Sequence, residues 1–143
     1  MSLRIREEEL RRLEQHAAEG YPSEVVGILA GSRSAWLVSR VHPLVNERSE
    51  TRNRYRVGPM EIMRAERSIE AEGLEVVGYY HSHPDHTARY SDYDREHALP
   101  NMSYVIASVL EGRPSDVLAW KLREDRSAME PEMIEVIHME EKK

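Results

Sequence analysis

The segment Leu74-Glu75-Val76-Val77-Gly78-Tyr79-Tyr80 is an apolar run that reads as a buried strand, and it leads directly into His81-Ser82-His83-Pro84. Pro84 has no N–H to give to a sheet ladder, so the strand is expected to stop there. A buried strand needs a core around it, and the rest of the chain offers the pieces. Val25 to Gly31 is a second apolar run, Ala35 to Val41 alternates well enough for a strand, and Leu3 with Ile5 suggests a short one. Ser103 to Leu110, Val117 to Leu122 and Met133 to His138 are three more strand candidates. Residues 6 to 19 read as a helix with Leu10, Leu13 and Ala17 on one face and Gly20 as its stop. Pro59 sits where a second helix begins, with Ile62, Ala65 and Ile69 at helical spacing and Gly73 closing it. Ser91 reads as the N-cap of a third helix of about two turns, running to Leu99. Strands and helices mix without strict strand–helix–strand alternation. The fold class is therefore α+β (mixed α/β) rather than a doubly wound sheet.

Phe is absent, so the core must be built from Leu, Ile, Val, Met, Ala, Tyr and two Trp. The 143 residues fit one domain, 1–143, with 140–143 as a frayed tail. Twenty basic against 26 acidic residues give a net charge of −6, which argues against a nucleic-acid partner. With no Cys there is no disulfide framework, no thiolate nucleophile and no Cys-ligated metal, so any metal site must come from His, Asp and Glu. No apolar run of about 18 residues exists, and the N-terminus lacks an apolar signal core. No membrane association is expected, and the chain reads as a soluble, cytoplasmic protein.

The chemistry concentrates between residues 81 and 94. Side chains two apart on a strand share a face, so His81 and His83 offer two imidazoles to one point. After a short loop, Asp94 falls in the first turn of the third helix, where its carboxylate can complete a His-His-Asp set. Three protein ligands with an open fourth position mark a catalytic rather than a structural zinc site, though this donor set does not exclude iron or manganese. A plain structural alternative exists: Ser91-x-x-Asp94 is also a capping-box start, with Asp94 bonding back to the cap. Taken jointly, H-x-H-x7-S-x-x-D in a chain with 7 His is expected by chance on the order of once in a thousand such chains.

This arrangement resembles the JAMM/MPN+ metallopeptidases, whose signature is an upstream Glu followed by H-S/T-H-P-x6-S-x-x-D. It stands here without gaps from His81 to Asp94, and Glu24 lies in Pro22-x-Glu24-x-x-Gly27-x-Leu29-x-Gly31, similar to the family's opening. The likeness spans roughly residues 3 to 123. It implies a cytidine-deaminase-like MPN/JAMM fold: a curved mixed sheet flanked by helices. It also implies one Zn²⁺ per chain on His81, His83 and Asp94, with water in the fourth position. Glu24 would be the general base that takes the water's proton and hands it to the leaving amine, and Ser91 would hydrogen-bond the developing oxyanion. Bound zinc lowers the pKa of water to about 7, which suits a protein without a Ser or Cys nucleophile.

Within this family the chain resembles compact prokaryotic peptidases that act beside the Gly-Gly tail of small ubiquitin-fold sulfur carriers. It leaves no room for the long insertions with which eukaryotic deubiquitinases grip two ubiquitins. The expected substrate is such a carrier, bearing a single cysteine, a short extension or an isopeptide. The tail would lie as an added strand near residues 46 to 56, with Asn46 and Tyr55 as contacts. The alternative is a non-catalytic, protein-binding scaffold, but scaffold members lose a ligand or the base, and this chain keeps all five positions.

Overall fold

A computed structural model of the protein describes residues 2–45 and 57–138, so residues 46–56, including Asn46 and Tyr55, and the tail at 140–143 lie outside the described residues. The described chain runs β1 (Leu3–Arg6), α1 (Glu7–Gly20), β2 (Val26–Ser32), β3 (Leu37–Leu44), α2 (Pro59–Ala71), β4 (Glu75–Pro84), α3 (Asp92–His97), β5 (Ser103–Leu110), β6 (Arg113–Leu122), β7 (Met129–Glu132) and β8 (Ile134–Ile137). None of these helices is long and apolar enough to cross a membrane.

The eight strands form one mixed sheet in the order β7-β6-β5-β4-β2-β3-β1-β8. β4 and β5 run parallel, while β2 is antiparallel to both β3 and β4. The two ends of that order, β7 and β8, are neighbours in the chain with Met133 between them, so the sheet curves until it nearly closes. The Leu3 N–H donates to the Met133 carbonyl at 2.8 Å at this seam. Glu132 braces it from inside, accepting from Trp36 Nε1 at 2.7 Å and Ser103 Oγ at 2.8 Å.

Helices cover both faces. α1 packs Leu13 and Ala17 onto Leu29, Val38, Val77 and Tyr80, whereas α2 packs Ala65 and Ile69 onto Val26, Ile28 and Ala30. The alternation along β4 thus sends Tyr80 towards α1 and Tyr79 towards α2 and α3. α1 carries Glu7, Glu8 and Glu9 in its first turn, where carboxylates favour the helix dipole. It runs through Gly20 rather than stopping before it, and ends where Tyr21, which precedes Pro22, must become extended. Glu9 is buried because its Oε1 accepts the Val41 N–H at 2.9 Å, on the side of β3 that β1 has left unpaired.

Gly27 has a definite role in this packing. It pairs with Tyr80, and a Cβ at Gly27 would run into the Tyr80 ring, which is fully buried with its hydroxyl 2.7 Å from His16 Nδ1. Gly27→Ala is therefore expected to displace that ring and lower stability by about 1–3 kcal/mol, as overpacking does. Denaturant midpoints of the variant and wild type check this, and equal midpoints would mean that the ring moves freely.

Candidate metal centre

β4 delivers both histidines. Tyr79, His81 and His83 share the face turned towards α3, and the strand ends at Pro84, where the missing N–H was expected to stop it. Ser82, between the histidines, points elsewhere and ties down the neighbouring strand. Its Oγ accepts the Val25 N–H at 2.8 Å, and its own N–H donates to the Val25 carbonyl at 3.0 Å. These two bonds fix the residue next to Glu24 against the strand that carries the histidines.

α3 supplies the third group. The Ser91 Oγ accepts the Asp94 N–H at 3.0 Å, and the Asp94 Oδ2 accepts the Ser91 N–H at 2.9 Å. The capping box offered by the sequence as an alternative is thus present, and it does not compete with ligation. It orients the carboxylate. Asp94 Oδ1 lies 3.0 Å from His81 Nε2, and Oδ2 lies 3.1 Å from His83 Nε2. One candidate ligand atom from each of His81, His83 and Asp94 falls within 4.8 Å of the others.

The donor set fits a metal cation for a specific reason. His83 Nδ1 lies 2.8 Å from the Thr87 carbonyl, which can only accept, so Nδ1 carries the proton. A neutral His83 then turns the Nε2 lone pair towards a carboxylate oxygen, a repulsive arrangement unless positive charge sits between them. Either the ring carries a second proton or a metal ion takes that place. Backbone carbonyls that fix the far nitrogen of a ligating histidine are the usual support for such a centre. Burial alone would push the Asp94 carboxyl up; the charge of His81, hydrogen bonds with His81 and His83, and the Ser91 amide outweigh it and hold Asp94 well below the usual carboxylate range.

Glu24 and Ser91 line one cleft of about 390 Å³ together with His83, Pro84 and the 86–90 loop. Glu24 is buried, 4% exposed, on the segment that leads from α1 into β2. Ser91 Oγ already accepts one hydrogen bond, which leaves its O–H to donate into the cleft.

The loop between the ligands, to which spacing along the chain assigns no structure, is held by side-chain hydrogen bonds. Asp85 takes a left-handed conformation, φ 60°, and satisfies it with its side chain, accepting from the Glu111 N–H at 2.9 Å and the Tyr21 hydroxyl at 2.7 Å. The next three carbonyls are then each held by a side chain. Ser108 Oγ donates to His86, His83 Nδ1 to Thr87, and Trp120 Nε1 to Ala88. The donors come from three different strands, which is why spacing along the chain gave no sign of them.

Residues 6–123 match the family model described as prokaryotic homologs of the JAB domain. The desampylase of Haloferax volcanii is 41% identical over 98 residues, covering 65% of this chain and 70% of that protein. The probable TtuB-protein conjugate cleaving protease of Thermus thermophilus is 35% identical over 97 residues, covering 68% of this chain and 64% of its own length. Among solved structures, the JAB1/MPN domain protein AF2198 of Archaeoglobus fulgidus superposes with a TM-score of 0.58 at 20% identity, over 96% of this chain and 99% of that one. That likeness shows a shared fold, and the match over residues 6–123 places the chain in the prokaryotic branch of the JAMM/MPN family of hydrolases.

Proposed function

We propose that the protein is a zinc-dependent peptidase that hydrolyses the bond after the C-terminal Gly-Gly of a small ubiquitin-fold protein, of the sulfur-carrier type. The observation that carries this reading is the convergence of His81, His83 and Asp94 beside a cleft that also holds a buried carboxylate, Glu24, and a hydroxyl donor, Ser91. The relative named for cleaving TtuB–protein conjugates supports a conjugate-type bond as one of the substrates.

Zinc held by the three ligands would supply Lewis-acid activation of water and of the scissile carbonyl. The chain's own residues do the rest. Glu24 accepts a proton from the attacking water and returns it to the departing nitrogen, so that the C–N bond breaks to an acid and an amine. Ser91 donates its O–H to the carbonyl oxygen as charge develops there. The capping box keeps Ser91 and Asp94 in register, so the oxyanion donor and one ligand move as a unit.

The test incubates the zinc-loaded protein with carriers extended past Gly-Gly by one cysteine, by a few residues, or by an isopeptide-linked lysine. Intact mass locates any cut, and Glu24→Gln is the blank. Release at the Gly-Gly carboxyl is the expected result. Intact carriers alongside cleavage of an unrelated small amide would overturn the substrate class.

A further inference from the structure

Two cavities flank the ligand set, and three separate elements pass from one to the other through it. On β4, Tyr79 lines an apolar groove, His81 and His83 follow, and His83 lines the Glu24 cleft. At the start of β2, Val26 faces the groove and Glu24, two residues before it, the cleft. On α3, Tyr93 and His97 face the groove, Asp94 sits between, and Ser91 faces the cleft. The groove is also lined by Leu44 and Val57, which in the chain precede and follow the 46–56 stretch that the sequence offered for the tail. A substrate whose tail arrives from the groove side therefore leaves its amine half in the cleft, where Glu24 waits to protonate it.

The cleft sets one fixed positive charge, Arg89, beside one carboxylate, Glu24. Among its described lining residues Glu24 is the only acid, and His86 and Arg89 are exposed in it. The Arg89 guanidinium is held in place by aromatic rings, its Cζ 4.9 Å from the Tyr90 ring centre and 5.9 Å from that of Trp120. Those rings pack edge to face at 5.0 Å, and the Trp120 N–H is anchored to the 86–90 loop. Among the described residues no carboxylate pairs with Arg89, so its hydrogen-bond fork is available to a ligand. Stacking on rings steadies a guanidinium without using any of its N–H donors.

Resting on the proposed peptidase reading, we propose that Arg89 is a specificity residue that binds a carboxylate on the leaving-group side of the scissile bond. Two sources offer that chemistry: the α-carboxylate of a single amino acid linked to the Gly-Gly carboxyl, or an acidic side chain beside an acceptor lysine. An Arg–carboxylate pair is planar and can be bidentate, which suits a group held at fixed distance from the departing nitrogen.

The experiment uses the zinc-loaded protein and two matched pairs of substrates. The first pair is a carrier ending in Gly-Gly-cysteine with a free carboxylate, against the same carrier with a terminal carboxamide. The second is the carrier isopeptide-linked to a lysine peptide with Glu, against Gln, next to the lysine. Wild type is expected to prefer the acid over the amide in at least one pair by about 10–100-fold in kcat/KM, mostly through KM. Arg89→Gln should bring that ratio close to one, with unchanged metal content, and Arg89→Lys should recover part of it. A preference confined to the first pair assigns the α-carboxylate, and one confined to the second assigns the acidic neighbour. Cleavage with no acid preference in either pair, or a preference that survives in Arg89→Gln, overturns the role of Arg89 while the peptidase reading stands. If none of the four substrates is cut, the peptidase reading itself is wrong and this inference goes with it.

Discussion

Glu24→Gln is expected to fold, to hold as much metal as wild type, and to lose about 10²–10⁴-fold in turnover, the usual contribution of a positioned general base. The reasoning separates two jobs that are easily confused near a metal. Glu24 lies outside the group whose ligand atoms converge, yet it is buried in the cleft beside His83 and Ser91. Gln keeps the shape and most of the hydrogen bonding of Glu but cannot take a proton. Metal analysis, a denaturation midpoint and single-turnover rates read the three consequences separately. Near wild-type turnover would mean that another group is the base, and loss of metal would mean that Glu24 is a ligand.

Asp94→Asn is expected to cost both metal and activity while sparing the start of α3. The amide oxygen of Asn can still accept the Ser91 N–H, so the capping box survives in outline. What disappears is the anionic charge between two imidazoles. Removing a supporting partner of a ligand already costs about 10–100-fold in affinity or activity, so removing a ligand should exceed 100-fold. Dialysed variant should contain little metal, and added zinc should raise its melting temperature much less than that of wild type, because stabilisation by a ligand grows with the logarithm of its concentration over Kd. A variant that keeps its metal through dialysis would remove Asp94 from the ligand set.

The parts of this fold that were legible in the sequence share a physical property: they bury apolar side chains in a regular rhythm. β5 emerges at Ser103–Leu110 as expected, since all but its last residue are buried. The His-x-His pair and Asp94 were legible because a strand period of two and a helix cap each fix direction from spacing alone. β7, Met-Glu-Pro-Glu, has neither an apolar run nor a rhythm and was not expected. It is a strand because β6 pairs with it and because Glu132 has buried donors to meet, both of them tertiary facts. β6 likewise starts at Arg113 through exposed residues that pairing with β5 holds in place. β3 continues through Pro43 to Leu44 because β1 pairs with β3 only at Leu37 and Val38, and a proline is tolerated where no further strand needs its N–H. α3 stops at His97, short of Leu99, since a residue before proline avoids the helical region and Pro100 follows. The carbonyl clamp on the 86–90 loop was illegible for the same reason as β7.

The seam at Met133 bears on the order in which the molecule is made. β1 pairs on one side with β3 and on the other with β8, so Leu3 lies opposite Ile134. A growing chain has the first of these partners early and the second only after nearly everything else has been synthesised. Closing so long a loop costs entropy that few contacts repay until the ring is complete, which makes it a late event. The residues of the metal centre are synthesised earlier. Glu24, His81, His83 and Asp94 come from β4, α3 and the approach to β2, all made before β5 exists. The order of synthesis thus makes the reactive side chains first, adds β5 and β6 that clamp the loop between them next, and fastens the hoop of strands last.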